Sequence, residues 1–251
     1  MNTLRSEFTK LVSLRSTKLL VGLAVVLSVL LTALLAIIIG ETWDGWSAAE
    51  RADFDPVDMA SVGAIVTAIL FLVLGVKTAT SEYGSGMIRL TLTATPQRWR
   101  VLLSKAAVVA GVTLVAGLVS TVGMLLMAQA ILASYGLPTP TLADADALDA
   151  MLVGSLLAPQ FPLIALTLGI ALRSTAAAII ATLGVIFAPA FVGGLLPASW
   201  QDAIDYAPGS ASDGLSGFAD GLAPGLALFV VLAWTALFLG GAWVAFERRD
   251  A

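Results

Sequence analysis

The chain has 251 residues, of which 59% are hydrophobic and 12% charged, and its mean hydropathy is +0.96. That composition excludes an ordinary soluble domain. The net charge of −4 hides an uneven split along the chain, and the lack of any Cys or His removes disulfides, thiolate chemistry, imidazole bases and the usual zinc sites.

Residues 2–18 are predicted to form a short amphipathic segment. Leu4, Phe8, Leu11 and Val12 recur at helical spacing, with Arg5, Glu7, Lys10 and Ser13 between them. Such a helix lies in the headgroup plane with its basic face toward the cytosol. The alternative is a solvated basic tail that only sets orientation. Six apolar runs follow, at residues 19–40, 57–76, 106–133, 150–172, 175–196 and 222–244. Each reaches the ~20 residues that carry a helix across a ~30 Å hydrocarbon layer. The first run exceeds the ~7–15 residues of a signal-peptide core, so it is expected to be a retained span.

The connections differ in charge. Residues 41–56 are acidic and carry Trp43 and Trp46, expected as interfacial anchors. The connection around Pro138, Pro140 and Asp144 reads as an exposed turn, and Arg173-Ser174 as a tight hairpin. Residues 197–221, with Trp200, Tyr206 and Pro208, form two short, weakly amphipathic pieces broken at Pro208-Gly209. This outer cap is expected to re-enter the membrane only if protein covers its backbone. Of the 13 Lys and Arg residues, Arg51 alone falls in the first, third and fifth connections. The positive-inside rule then predicts both termini in the cytosol, and the expected location is a bacterial inner membrane. The basic face suits anionic lipid and an acidic partner surface, and nothing in the pattern calls for nucleic acid.

No ionisable residue sits well inside any predicted span. Ion-coupled transport and intramembrane hydrolysis are therefore disfavoured, since each needs such a group at depth. The uncharged polar residues there, among them Thr32, Thr67, Ser120 and Gln160, read as helix–helix contacts or bonds to their own backbone. Pro159, Pro162 and Pro189 lie within the fourth and fifth runs and are candidate hinges.

Residues 77–105 form the extended basic-side stretch. It offers Glu82, a turn around Gly86, the apolar residues Met87 and Ile88, Arg89, and a helix opened by Pro96 that carries Arg98, Arg100 and Lys105. A loop that only set orientation would not need this Gly and Pro punctuation. Here the chain resembles the ABC-2 family of ATP-binding-cassette transporter permeases. The resemblance rests on Glu82, Gly86-Met87-Ile88, the Leu92-to-Pro96 and Arg98 pattern, and Lys105, with Met87 where Thr is usual and a Pro-to-Arg spacing one residue short. It extends to the amphipathic start, the six-span layout, the Leu196-Pro197 to Tyr206-Ala-Pro208 loop and the Phe246 to Asp250 tail.

The resemblance implies a single all-α transmembrane domain over 1–251: an interfacial helix, six spans, a coupling elbow at 77–105 and the cap. It implies a permease subunit that pairs with a second permease copy, identical or different, and exports a lipophilic or amphiphilic compound along a seam of the second and fifth spans. ATP and Mg²⁺ would be held by separate ATPase subunits docked on Glu82, Gly86, Met87, Ile88, Arg89, Pro96, Arg98, Arg100 and Lys105. The sequence itself has no G-x-x-x-x-G-K-[ST] phosphate loop; Gly75-Val-Lys77-Thr78 lacks the preceding Gly. The chain is thus not expected to be an enzyme or to bind a cofactor or metal directly. The rival from another class is a membrane scaffold or sensor that recruits a cytoplasmic partner without transport. A passive channel is disfavoured because no span carries a polar stripe.

Overall fold

The computed structural model describes residues 2–84, 87, 93, 97–216 and 221–248. The chain is 85% helical, with no strand among the described residues. Among the described residues, six helical segments are long and apolar enough to cross a membrane: Arg15–Gly45, Pro56–Gly84, Arg98–Ser134, Ala145–Leu172, Thr175–Gly193 and Pro224–Ala245. The protein is a multi-pass membrane protein.

The helices are α1 (Asn2–Ser13), α2 (Arg15–Thr42), α3 (Ala48–Ala52), α4 (Pro56–Ser61), α5 (Ala64–Gly84), α6 (Arg98–Ser134), α7 (Ala145–Leu157), α8 (Gln160–Leu172), α9 (Thr175–Gly193), α10 (Ala198–Ile204), α11 (Pro208–Leu215) and α12 (Pro224–Arg248). The amphipathic segment expected over 2–18 is shorter. Leu14 is extended, and Arg15 to Lys18 already belong to α2, continuous with the apolar stretch.

The first span packs through small residues. Ala24, Ser28, Thr32 and Ala36 recur every four positions on its buried line, which lets its backbone approach α4, α5 and α6 closely. The second span is broken between α4 and α5. Thr32 Oγ1 donates to the Ala60 carbonyl at 2.8 Å beside that break, so irregular backbone at membrane depth is satisfied by protein. On the acidic end, Asp55 caps α4 through the Val57 and Asp58 amides, and Ser47 and Glu50 cap α3 reciprocally. Trp43 and Trp46 cluster with Phe54, and Arg51 lies over the Trp43 ring at 5.7 Å.

The fourth span is also broken. Ala158-Pro159 separate α7 from α8, so Pro159 ends one helix and opens the next. Pro162 falls in the first turn of α8, where no intrahelical N–H bond is lost. Its carbonyl abuts Gly75 of α5 so closely that any side chain there would collide with it. Pro189 stays inside the continuous α9. Near the basic end, α5, α6, α8 and α12 converge on a core of Ala79, Val101, Leu102, Leu163, Leu166, Ile170 and Ala242.

Candidate functional site: a buried charge cluster at the basic end

The last turn of α5 and the second turn of α6 lie side by side, and α1 lies across them. Leu11 of α1 is buried against Val108 and Val109, which brings Glu7 and Lys10 to the helix ends. Four ions meet there. Lys105 Nζ lies 2.8 Å from Glu82 Oε1 and 2.7 Å from Glu7 Oε2. Lys10 Nζ lies 2.7 Å from Glu7 Oε1 and 3.0 Å from Glu82 Oε1. Glu7 and Lys105 are each 4% exposed and Glu82 6%, while Lys10 reaches solvent.

Taking two carboxylates and two ammoniums out of water carries a large dehydration cost, and the close crossed geometry offsets it. Burial works against the charge on Lys10, but Glu7 and Glu82 outweigh it and hold the ammonium above its ordinary 10.5. The second oxygen of Glu82 is buried with no hydrogen-bond partner, and Tyr83 is packed beside it. Arg173 stands 5.3 Å over the Tyr83 ring. It occupies the α8–α9 hairpin in the left-handed conformation (φ 54°), and Thr175 beside it shares a 2.8 Å hydroxyl contact with Thr80. The hairpin and the cluster therefore flank the same turn of α5.

The residues singled out in the 77–105 stretch sort into three groups. Glu82 and Lys105 are brought together, but facing inward and paired within the chain. Met87 and Arg100 are exposed, Arg100 lying 5.4 Å over Trp99, and Arg98 is half-buried. Gly86, Ile88, Arg89 and Pro96 lie outside the described residues. In α1, Leu4, Phe8 and Val12 are exposed on one flank, and of the four apolar residues singled out there only Leu11 is buried in the protein. Sequence reasoning missed Glu7 and Lys10 as partners of Glu82 and Lys105. The available signal was that Glu7 is an acid set among the bases of the N-terminal segment, one turn from Lys10.

At the acidic end a different arrangement ties α10 and α11 to the spans. Gln160, the first residue of α8 just past the break of the fourth span, donates to the Pro208 carbonyl at 3.3 Å and accepts from Ser212 at 2.5 Å. Trp234 Nε1 donates to the Tyr206 carbonyl at 2.7 Å, and Gly209 sits directly on the Ile186 carbonyl. Trp200 and the Tyr206 side chain are exposed, while Pro208 is buried. An open, mostly apolar groove of about 260 Å³ runs between Pro189, Trp200, Ile204, Tyr206 and Trp234.

Among the described residues no group of His, Cys, Asp and Glu is arranged to hold a metal ion. Among known families, one described as a protein of unknown function, DUF2705, matches residues 53–251. No curated protein matches the chain.

Proposed function

The chain belongs to the DUF2705 family, whose function is unknown, and from its own residues we propose that it is the membrane permease subunit of an ATP-driven exporter of the ATP-binding-cassette class. The observation that carries the reading is the Glu82–Lys105 pair with its two α1 ions. It clamps both roots of the segment between the second and third spans. A connection that only set orientation would need no such clamp, whereas one that receives a push from a partner must have rigid roots.

In this reading the basic end faces the cytosol. Met87, Arg98 and Arg100 meet the separate ATPase, which holds ATP and Mg²⁺. Glu82 and Lys105 position the elbow rather than touch the partner. The α1 helix lies at the membrane surface with Leu4, Phe8 and Val12 toward lipid.

The α10–α11 cap re-enters the outer leaflet. Trp234 lies ten residues from the start of α12 at Pro224, and Ile186 seven from the end of α9 at Gly193. At ~1.5 Å per residue their contacts with Tyr206 and Gly209 fall about 10–15 Å below the outer helix ends. Half or more of the second, third and fourth spans is covered within the chain (50%, 50% and 56%), against 22% for the first, fifth and sixth. Lipid and a second permease copy share the uncovered faces, and the fifth span lines the seam. The cargo is lipophilic or amphiphilic because no described span offers a charged path.

The first test is whether an adjacent reading frame encodes a Walker-type ATPase, and the second is reconstitution of the chain with that ATPase. Nucleotide-dependent export from vesicles is expected, and Arg98→Glu with Arg100→Glu should abolish ATPase co-purification while membrane insertion persists. ATPase binding without export would make the chain a recruiting scaffold. Unchanged co-purification and export in the reversed variant would remove the elbow assignment.

A further inference from the structure

The four ions at the basic end divide into two halves, each neutral by itself. On α1, Glu7 and Lys10 pair one turn apart; on the bundle, Glu82 and Lys105 pair across α5 and α6. The halves join through crossed contacts, Lys105 with Glu7 and Lys10 with Glu82. An ordinary ion pair across an interface leaves two isolated charges when the interface opens. Here every ion keeps a partner, so separation strands no buried charge, and water returns to groups that docking had dehydrated.

The rest of the attachment is equally suited to opening. Leu11 is the apolar residue of α1 buried in the bundle, against Val108 and Val109. Leu4, Phe8 and Val12 stay exposed on the neighbouring flank, where a bilayer holds them whether or not α1 is docked. Leu14 alone joins α1 to α2 in an extended conformation (φ −75°, ψ 123°). In the first turn of α2 the Thr17 and Lys18 amides bond to the Leu14 carbonyl, so rotation on the α1 side of this joint leaves α2 intact.

We infer that α1 is a releasable arm. Docked, it braces both roots of the segment between the second and third spans. Released, it rests on the membrane surface with Arg5 toward anionic headgroups, and the roots are held by Glu82–Lys105 alone. A permanent brace would need only the crossed contacts. The two internal pairs additionally provide for the open state, whatever partner the protein has.

The lack of native cysteine makes the test direct. The full chain carrying Leu11→Cys and Val108→Cys is placed in nanodiscs containing anionic lipid. Docking is read by disulfide formation, and release by maleimide labelling at position 11. Glu7→Gln or Lys10→Gln alone leaves the docked cluster with an uncompensated charge, and each should lower the docked-to-free ratio about tenfold or more. Glu7→Gln with Lys10→Gln removes a neutral pair and should stay within a few-fold of the parent (roughly the weight of hydrogen bonds alone). Reversal on α1 (E7K with K10E) should release it, and Glu82→Lys with Lys105→Glu in the same chain should dock it again.

Equal protection of position 11 in all variants would mark a fixed brace and overturn the inference. So would a double variant released more than either single one. Hydrogen exchange on the unsubstituted chain gives an independent reading: amides of α1 should open far more often than those of α2 beyond Lys18, and equal opening would also overturn it.

Discussion

The two ends of the bundle fix their short helices by different chemistry. At the basic end α1 is held by four full charges. At the acidic end α10 and α11 are held by an amide, a hydroxyl, an indole and backbone carbonyls. Depth explains the contrast. Glu82 and Lys105 lie within a turn or two of the helix ends, where Lys10 still reaches solvent and the ions can be rehydrated. Gln160, Ile186 and Trp234 lie well inside their spans, where a charge would be far costlier than a neutral donor. Neutral bonds at depth suit a fixed joint, and compensated ions near water suit one that opens.

The sharpest way to break this contrast is to leave the cluster unbalanced. Lys105→Met faces Glu7 and Glu82 with Lys10 alone and should cost about 3–5 kcal/mol of stability, read as a fall in the melting midpoint in detergent. Gly75→Ala is next. Its methyl would strike the backbone of Pro162, and overpacking of about 1–3 kcal/mol should follow, with looser packing of the fourth span seen by hydrogen exchange.

Gln160→Leu removes the neutral tie to Pro208 and Ser212 and should cost about 1–2 kcal/mol, with faster exchange confined to α11. If Gln160→Leu proved costlier than Lys105→Met, the contrast between the ends would fail. The smallest effect is that of pH on Lys10. Its ammonium is held above 10.5, so its contribution is complete below that value and is lost as pH rises through the raised one. The midpoint difference between the parent and Lys10→Gln should stay flat through neutral pH and shrink only above 10.5.

Much of this architecture could be read from residue order. Six apolar runs give six spans because length and hydropathy decide membrane crossing locally. Pro159 marks the break in the fourth span for an equally local reason, the missing N–H. The break between α4 and α5 has no local mark: Val62 and Gly63 sit in an apolar run, and the hydroxyl that donates to the Ala60 carbonyl beside the bend comes from Thr32 of another helix. The cluster was half legible. Glu82 and Lys105 stand out as charges at span ends, but nothing in local spacing reveals that Glu7 and Lys10 lie beside them. That contact depends on α1 turning at Leu14. The span ends looked like surface, and tertiary packing made Glu82 and Lys105 interior.

The indole of Trp234 has a practical consequence. Its N–H is bound to a carbonyl of the α10–α11 turn, so any withdrawal of that turn exchanges a protein acceptor for lipid or water and alters the excited state of the ring. With the remaining tryptophans replaced by phenylalanine, the emission colour of this single fluorophore would report in real time whether that joint stays closed, without an attached dye.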